Sequence, residues 1–163
     1  MKKLLLPIAV FVLIVGSDAQ NIYDDFDDYK AGEYLGTESG GLWTTWTNQP
    51  ATSEDVVVSE SSSFSPDNSI NLISGGGVDV VLPLGNHSSG HWVLSFMMQI
   101  ENGYGAYFNL LHDFNAGNST WGPQVYFYSS GQGNISDTSG NTRTGTINNP
   151  PGSMWQSDNH GIF

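Results

Sequence analysis

The chain has 163 residues, no cysteine, and 4 Lys or Arg against 16 Asp or Glu, a formal charge of −12 at neutral pH. That balance repels nucleic-acid phosphates and anionic lipid, and leaves neutral glycans, divalent cations and other protein surfaces as partners. Without cysteine, burial or a bound metal must hold the fold, not disulfides.

In chain order, Lys2 and Lys3 precede the apolar run "LLLPIAVFVLIV" at 4–15, and small residues follow at Ser17 and Ala19. This pattern predicts a signal peptide over 1–19, cleaved after Ala19. The apolar run is too short to span a bilayer. The expectation is therefore a secreted or cell-surface protein whose mature chain, 20–163, does not insert in a membrane. That chain keeps only Lys30 and Arg143 as bases.

Next comes "YDDFDDY" at 23–29. As an extended strand it would turn Asp24, Phe26 and Asp28 to one face and Tyr23, Asp25, Asp27 and Tyr29 to the other. Two readings of the acids stand side by side. Hard cations collect several carboxylate oxygens, which makes Asp24, Asp25, Asp27 and Asp28 a candidate calcium site. Alternatively, the acids are solvated and guard an exposed edge strand against pairing. The spacing does not follow an EF-hand loop.

The rest of the mature chain predicts an all-β sandwich of roughly seven to nine short strands separated by Gly, Ser, Asn and Pro turns. "DVVVS" (55–59), "SINLI" (69–73) and "VDVVLPL" (78–84) read as strands. "HWVLSFMMQI" (91–100) alternates most cleanly and places Trp92, Leu94, Phe96, Met98 and Ile100 on a core face. "ENG" (101–103) predicts a hairpin into "YGAYFNLLHDF" (104–114). "PQVYFYS" (123–129) reads as the next strand and "GQGN" (131–134) as a turn. The stretch 136–151 is polar and turn-rich, and "SMWQS" (153–157) reads as one more strand.

Flat aromatic rings stack on the apolar faces of pyranose sugars, while amide and carboxylate groups bind the hydroxyls. Tyr107, Asn109, Asp113, Trp121, Gln124, Tyr126 and Tyr128 supply that set if their face is open. Large aromatics also fill cores. Trp92 and Phe108 are expected there, whereas Val125 and Phe127 take the buried positions beside Tyr126 and Tyr128. Signals for catalysis are thin. A retaining glycosidase needs two carboxyls about 5–5.5 Å apart, and no run of alternating acids on one strand supplies them. His87 and His91 have no acidic partner in a zinc-binding pattern. No nucleophile elbow or phosphate loop is present. The sequons at Asn86, Asn118 and Asn134 read as chance in an Asn- and Ser-rich chain.

Four stretches carry a family resemblance: "YDDFDDYKAGEY", "LWTTWTNQPATSEDVVVSESSSFSPDNSINLI", "VDVVLPLGNHSSGHWVLSFMMQIENGYGAYFNLLHDF" and "WGPQVYFYSSGQG". In this order, over about residues 22 to 134, they resemble the concanavalin A-like, laminin-G-type jelly-roll module of secreted bacterial proteins, often joined to a type IX secretion sorting domain. The resemblance implies a jelly-roll sandwich, incomplete at its C-terminus. No closing strand or sorting domain is visible before "MWQSDNHGIF", so a fragment with exposed edges and poor solubility is expected. It also implies a non-catalytic, lectin-like module for carbohydrate binding or cell adhesion, with polysaccharide or cell-surface glycan as partner. The alternatives are a glycoside hydrolase of this fold whose catalytic strand is missing, or a structural spacer.

Overall fold

The largest sheet among the described residues is built from strands between Ala106 and Thr146. The computed structural model describes residues 22–73, 75, 77–136, 142–146 and 154–156. The leader expected over 1–19 lies outside them. Among the described residues the strands are β1 (Thr44–Thr45), β2 (Val58–Ser59), β3 (Ser69–Ile70), β4 (Val80–Val81), β5 (Met97–Gln99), β6 (Ala106–Asp113), β7 (Thr120–Phe127), β8 (Gln132–Ser136), β9 (Thr142–Thr146) and β10 (Met154–Gln156). One helical turn, α1 (Leu35–Glu38), precedes them. The protein is all-β: every ladder is antiparallel, in the pairs β1–β4, β2–β3 and β5–β10 and in the four-stranded order β6–β7–β8–β9.

The tightest core lies in the N-terminal half. Val56 and Val58 are 2% and 1% exposed while Val57 between them is 42% exposed, the period-two burial of an extended chain. Leu35 completes the buried set, and Phe26, Tyr29, Trp43, Ile70, Val78 and Val80 pack around it. Each fully buried Val or Leu contributes about 1.5–3 kcal/mol. Backbone bonds from Leu35 N to Val56 O (2.9 Å), from Val58 N to Glu33 O (3.0 Å) and from Gly32 N to Val58 O (2.9 Å) tie this segment to the chain before α1. Asp55 secures the same junction. It is 4% exposed. Its carboxylate accepts from Gly36 N (3.1 and 3.2 Å), Ala51 N (2.9 Å) and Val56 N (2.9 Å). The residue before α1, Tyr34, offers no side-chain cap, so Asp55 satisfies a free N–H of the helical turn from nineteen positions away.

In the large sheet, Asn109 pairs with Gln124 but Leu111 with Trp121, so β7 carries one extra residue. This is a β-bulge. Gly122 sits in it, and a Cβ there would run into the carbonyl oxygen of Leu110. Backbone cannot give way as a flexible side chain can. Gly122→Ala is expected to lower stability by about 1–3 kcal/mol, read from the urea midpoint, whereas an unchanged midpoint would mean that the bulge relaxes freely.

Several sequence expectations are corrected. "YDDFDDY" is a turn, not a strand. Asp24 Oδ1 accepts from Phe26 N (2.9 Å) and Asp25 Oδ1 from Asp27 N (3.2 Å). These local side-chain bonds outcompete a ladder, and Phe26 takes a left-handed φ of 67°. Burial of its ring against the core offsets that strain. In 91–100 only Met97–Gln99 is a strand. The expected core face survives half-buried at Phe96, Met98 and Ile100, but Trp92 and Leu94 are 53% and 41% exposed. The Trp92 ring lies instead 3.8 Å from that of His87, and its Nε1 donates to Ser89 O (3.2 Å). "ENG" does turn, with Tyr104 N donating to Glu101 O (3.1 Å), but β5 pairs with β10 and not with β6. The expected turn at 131–134 moves upstream, because β8 begins at Gln132. The polar stretch after Ser136 holds β9.

Candidate functional site

Register in the large sheet sorts its side chains. On one face lie Phe108, Val125 and Phe127. Phe108 packs edge-on against Phe96 at 4.9 Å and lies 6.2 Å from Phe127. The other face carries the cross-strand pairs Tyr107–Tyr126 and Asn109–Gln124, with Asn134 opposite Tyr126 on β8.

On that face the polar groups form a four-residue chain and a separate pair. Asn109 Nδ2 donates to the Tyr107 hydroxyl (3.0 Å), which donates to Gln124 Oε1 (3.0 Å). The Tyr126 hydroxyl donates to the same oxygen (2.9 Å). Asn134 Nδ2 donates to the Tyr128 hydroxyl (2.7 Å). The rings of Tyr107 and Tyr126 are 4.7 Å apart, and those of Tyr126 and Tyr128 lie 12° from parallel. Tyr107 and Tyr128 are 41% and 46% exposed. Burial, more than any neighbour, pushes the Tyr107 hydroxyl up, and the charge of Asp79 acts in the same direction. It therefore stays a protonated donor at neutral pH. The arrangement is an open, ordered tyrosine platform edged with amides.

Five of the seven sugar-binding candidates thus gather in one place: Tyr107, Asn109, Gln124, Tyr126 and Tyr128. Trp121 lies beyond the bulge, stacked on Trp46 at 5.6 Å, and the Phe114 ring is 6.2 Å from that of Trp46. Asp113 is exposed at the end of β6, opposite Thr120. Sequence reasoning missed Asn134, having placed it in a turn. Its two-residue offset from Gln132 at the strand start is the signal that would have found it.

The four clustered aspartates have separate roles. Asp24 Oδ2 accepts from the Tyr29 hydroxyl (2.9 Å) and Trp43 Nε1 (2.6 Å). Asp25 Oδ2 accepts from the Tyr23 hydroxyl (3.1 Å). Asp27 Oδ1 accepts from Asn68 N (2.8 Å), Ser65 Oγ (3.0 Å) and Asp67 N (3.2 Å), and those bonds, the Asn68 one foremost, hold its carboxyl below the usual range. Its contribution to stability is accordingly present above the ordinary aspartate pKa and lost as pH falls through the depressed value. Asp28 is exposed. Among the described residues, no three His, Cys, Asp or Glu side chains converge as a metal would require.

From the sequence, Glu54 only flanks the apolar strand at 55–59 without forming a catalytic run, and Asp79 is not singled out. Thr47 N (3.0 Å) and Thr47 Oγ1 (2.8 Å) donate to Glu54 Oε2 and hold that carboxyl down. Asp79 is shifted the other way, first by desolvation and then by the charge of Glu54. A raised folded pKa contributes stability below the unfolded pKa and loses it as pH rises through the folded value, so ionised Asp79 is a cost at neutral pH. Asp79→Asn is expected to raise the melting temperature at pH 7 by roughly 1–2 °C. The gain should vanish in acid, and an equal gain at every pH would refute this origin.

No helix among the described residues is long and apolar enough to cross a membrane. No family model, curated protein or solved structure matches the chain.

Proposed function

We propose that the protein is a secreted, non-catalytic module of jelly-roll type that binds neutral polysaccharide or cell-surface glycan on the tyrosine face of β6, β7 and β8. The observation that carries this reading is the hydrogen-bonded run Asn109–Tyr107–Gln124–Tyr126, which fixes the exposed Tyr107 ring beside the half-buried Tyr126 ring. Fixed polar groups beside flat apolar rings suit a sugar, which presents hydroxyls at its rim and C–H groups on its faces. The rings are held before binding, so little ordering entropy is lost on contact. The acidic composition turns away sulfated and uronic-acid glycans and favours uncharged ones. The test is retardation of the purified full chain in native gels containing neutral polysaccharides. Retardation by a neutral polymer and not by an anionic one is expected; equal mobility in every gel would reject the reading.

One observation favours a second reading, a glycoside hydrolase. Asp79 N donates to Glu54 O (2.8 Å), which sets two acids on neighbouring segments of chain, and a glycosidase works with such a pair. Reducing-sugar release from laminarin that disappears in Asp79→Asn would establish it.

A further inference from the structure

The turn that holds Asp27 and the loop around Asn68 enclose a cleft of about 510 Å³, lined among others by Asp27, Tyr29, Lys30, Glu60, Asp67 and Asn68. Its charge is one-sided. Lys30 is the lone cation of the lining, and its Nζ is taken up by Glu33 at 2.8 Å. Three carboxylates remain against it.

Asn68 distinguishes this cleft from a merely acidic surface. It is 6% exposed. Its Nδ2 donates to Tyr29 O (2.9 Å) and Phe26 O (3.3 Å), which fixes the orientation of the amide. The opposite atom, Oδ1, is buried with no hydrogen-bond partner. Buried acceptors are almost always satisfied, so an orphan one calls for a donor or a cation. Asp27 has capacity too: its three bonds all fall on Oδ1.

We propose that this cleft binds a calcium ion through Asn68 Oδ1, Asp27 Oδ2 and a carboxylate of Asp67 or Glu60. Since no three acidic side chains converge, at most two carboxylates reach the ion. Amide, backbone and water oxygens complete the 6–8 ligands that calcium takes. So few charges place the dissociation constant on the order of 10⁻⁴–10⁻³ M, the range of extracellular modules. The site is distinct from the four-aspartate cluster, of which it uses Asp27 alone, because Asp24 and Asp25 are committed to Trp43, Tyr29 and Tyr23.

The test uses the full chain with terbium as a luminescent stand-in, excited through tyrosine, calcium as competitor and magnesium as control, alongside thermal melts. Saturable terbium emission displaced by calcium, and a midpoint raised by a few degrees in millimolar calcium, are expected. Both effects should weaken roughly tenfold or more in the Glu60→Gln/Asp67→Asn double variant, whose altered side chains are exposed. Both should persist in Asp28→Asn. An unchanged midpoint with no terbium displacement would overturn the proposal, as would binding that survives the double variant and is lost in Asp28→Asn.

Discussion

Asp55→Ala is expected to destabilise the protein by about 3–5 kcal/mol, a large part of the 5–15 kcal/mol that holds a typical domain. The carboxylate is buried and satisfies the N–H groups of Gly36, Ala51 and Val56. Alanine would leave the buried donors of Gly36 and Val56 unsatisfied at once and remove the partner of the more exposed Ala51 N–H. It would also open space beside Val56, the centre of the tightest core. Asp55→Asn is expected to cost nearly as much, because its NH₂ would face N–H donors. Gly36→Ala should damage the same joint, since a Cβ there would lie 2.8 Å from both Asp55 Oδ2 and Pro50 Cβ. Urea unfolding checks each of these; a loss below about 1 kcal/mol for Asp55→Ala would show that the junction is held elsewhere.

Tyr126→Ala is expected to weaken glycan binding roughly 30-fold or more, the effect of losing a central aromatic anchor. Tyr126 lies between Tyr107 and Tyr128 and shares Gln124 Oε1 with Tyr107, so its loss removes the middle of the platform and loosens the amide that orients it. Tyr107→Phe separates stacking from hydrogen bonding. It keeps the ring but breaks the link from Asn109 to Gln124, and a loss of about 5- to 10-fold is expected. Melting curves for both variants should stay close to wild type, because the opposite face of the sheet, with Phe108, Val125 and Phe127, supplies the packing.

How far the sequence could be read depended on the range of the interactions involved. Strands β6 and β7 were legible because alternation is a local pattern, and the same alternation separated Tyr126 and Tyr128 from Val125 and Phe127. The turn at Asp24–Tyr29 was not, because charge pattern alone does not reveal that aspartate side chains will bind N–H groups two residues on. Trp92 misled for a different reason: a perfect alternation buries a face only where another layer covers it, and at 91–96 the chain lies outside the strands. The Asn-Gly turn after Glu101 formed without its hairpin, because the partner of β5 comes from Met154–Gln156 at the far end of the chain. Asp55, Glu54 and Asn68 owe their roles to contacts with distant or neighbouring backbone that no spacing rule encodes.

The most direct test of the glycan-binding account is an array of neutral and anionic glycans probed in parallel with the wild-type full chain and with Tyr126→Ala. The account predicts wild-type signal on uncharged glycans, little on sulfated or uronic-acid glycans, and near-complete loss in the variant. Absence of signal on every neutral glycan, or wild-type signal that Tyr126→Ala leaves intact, would contradict it.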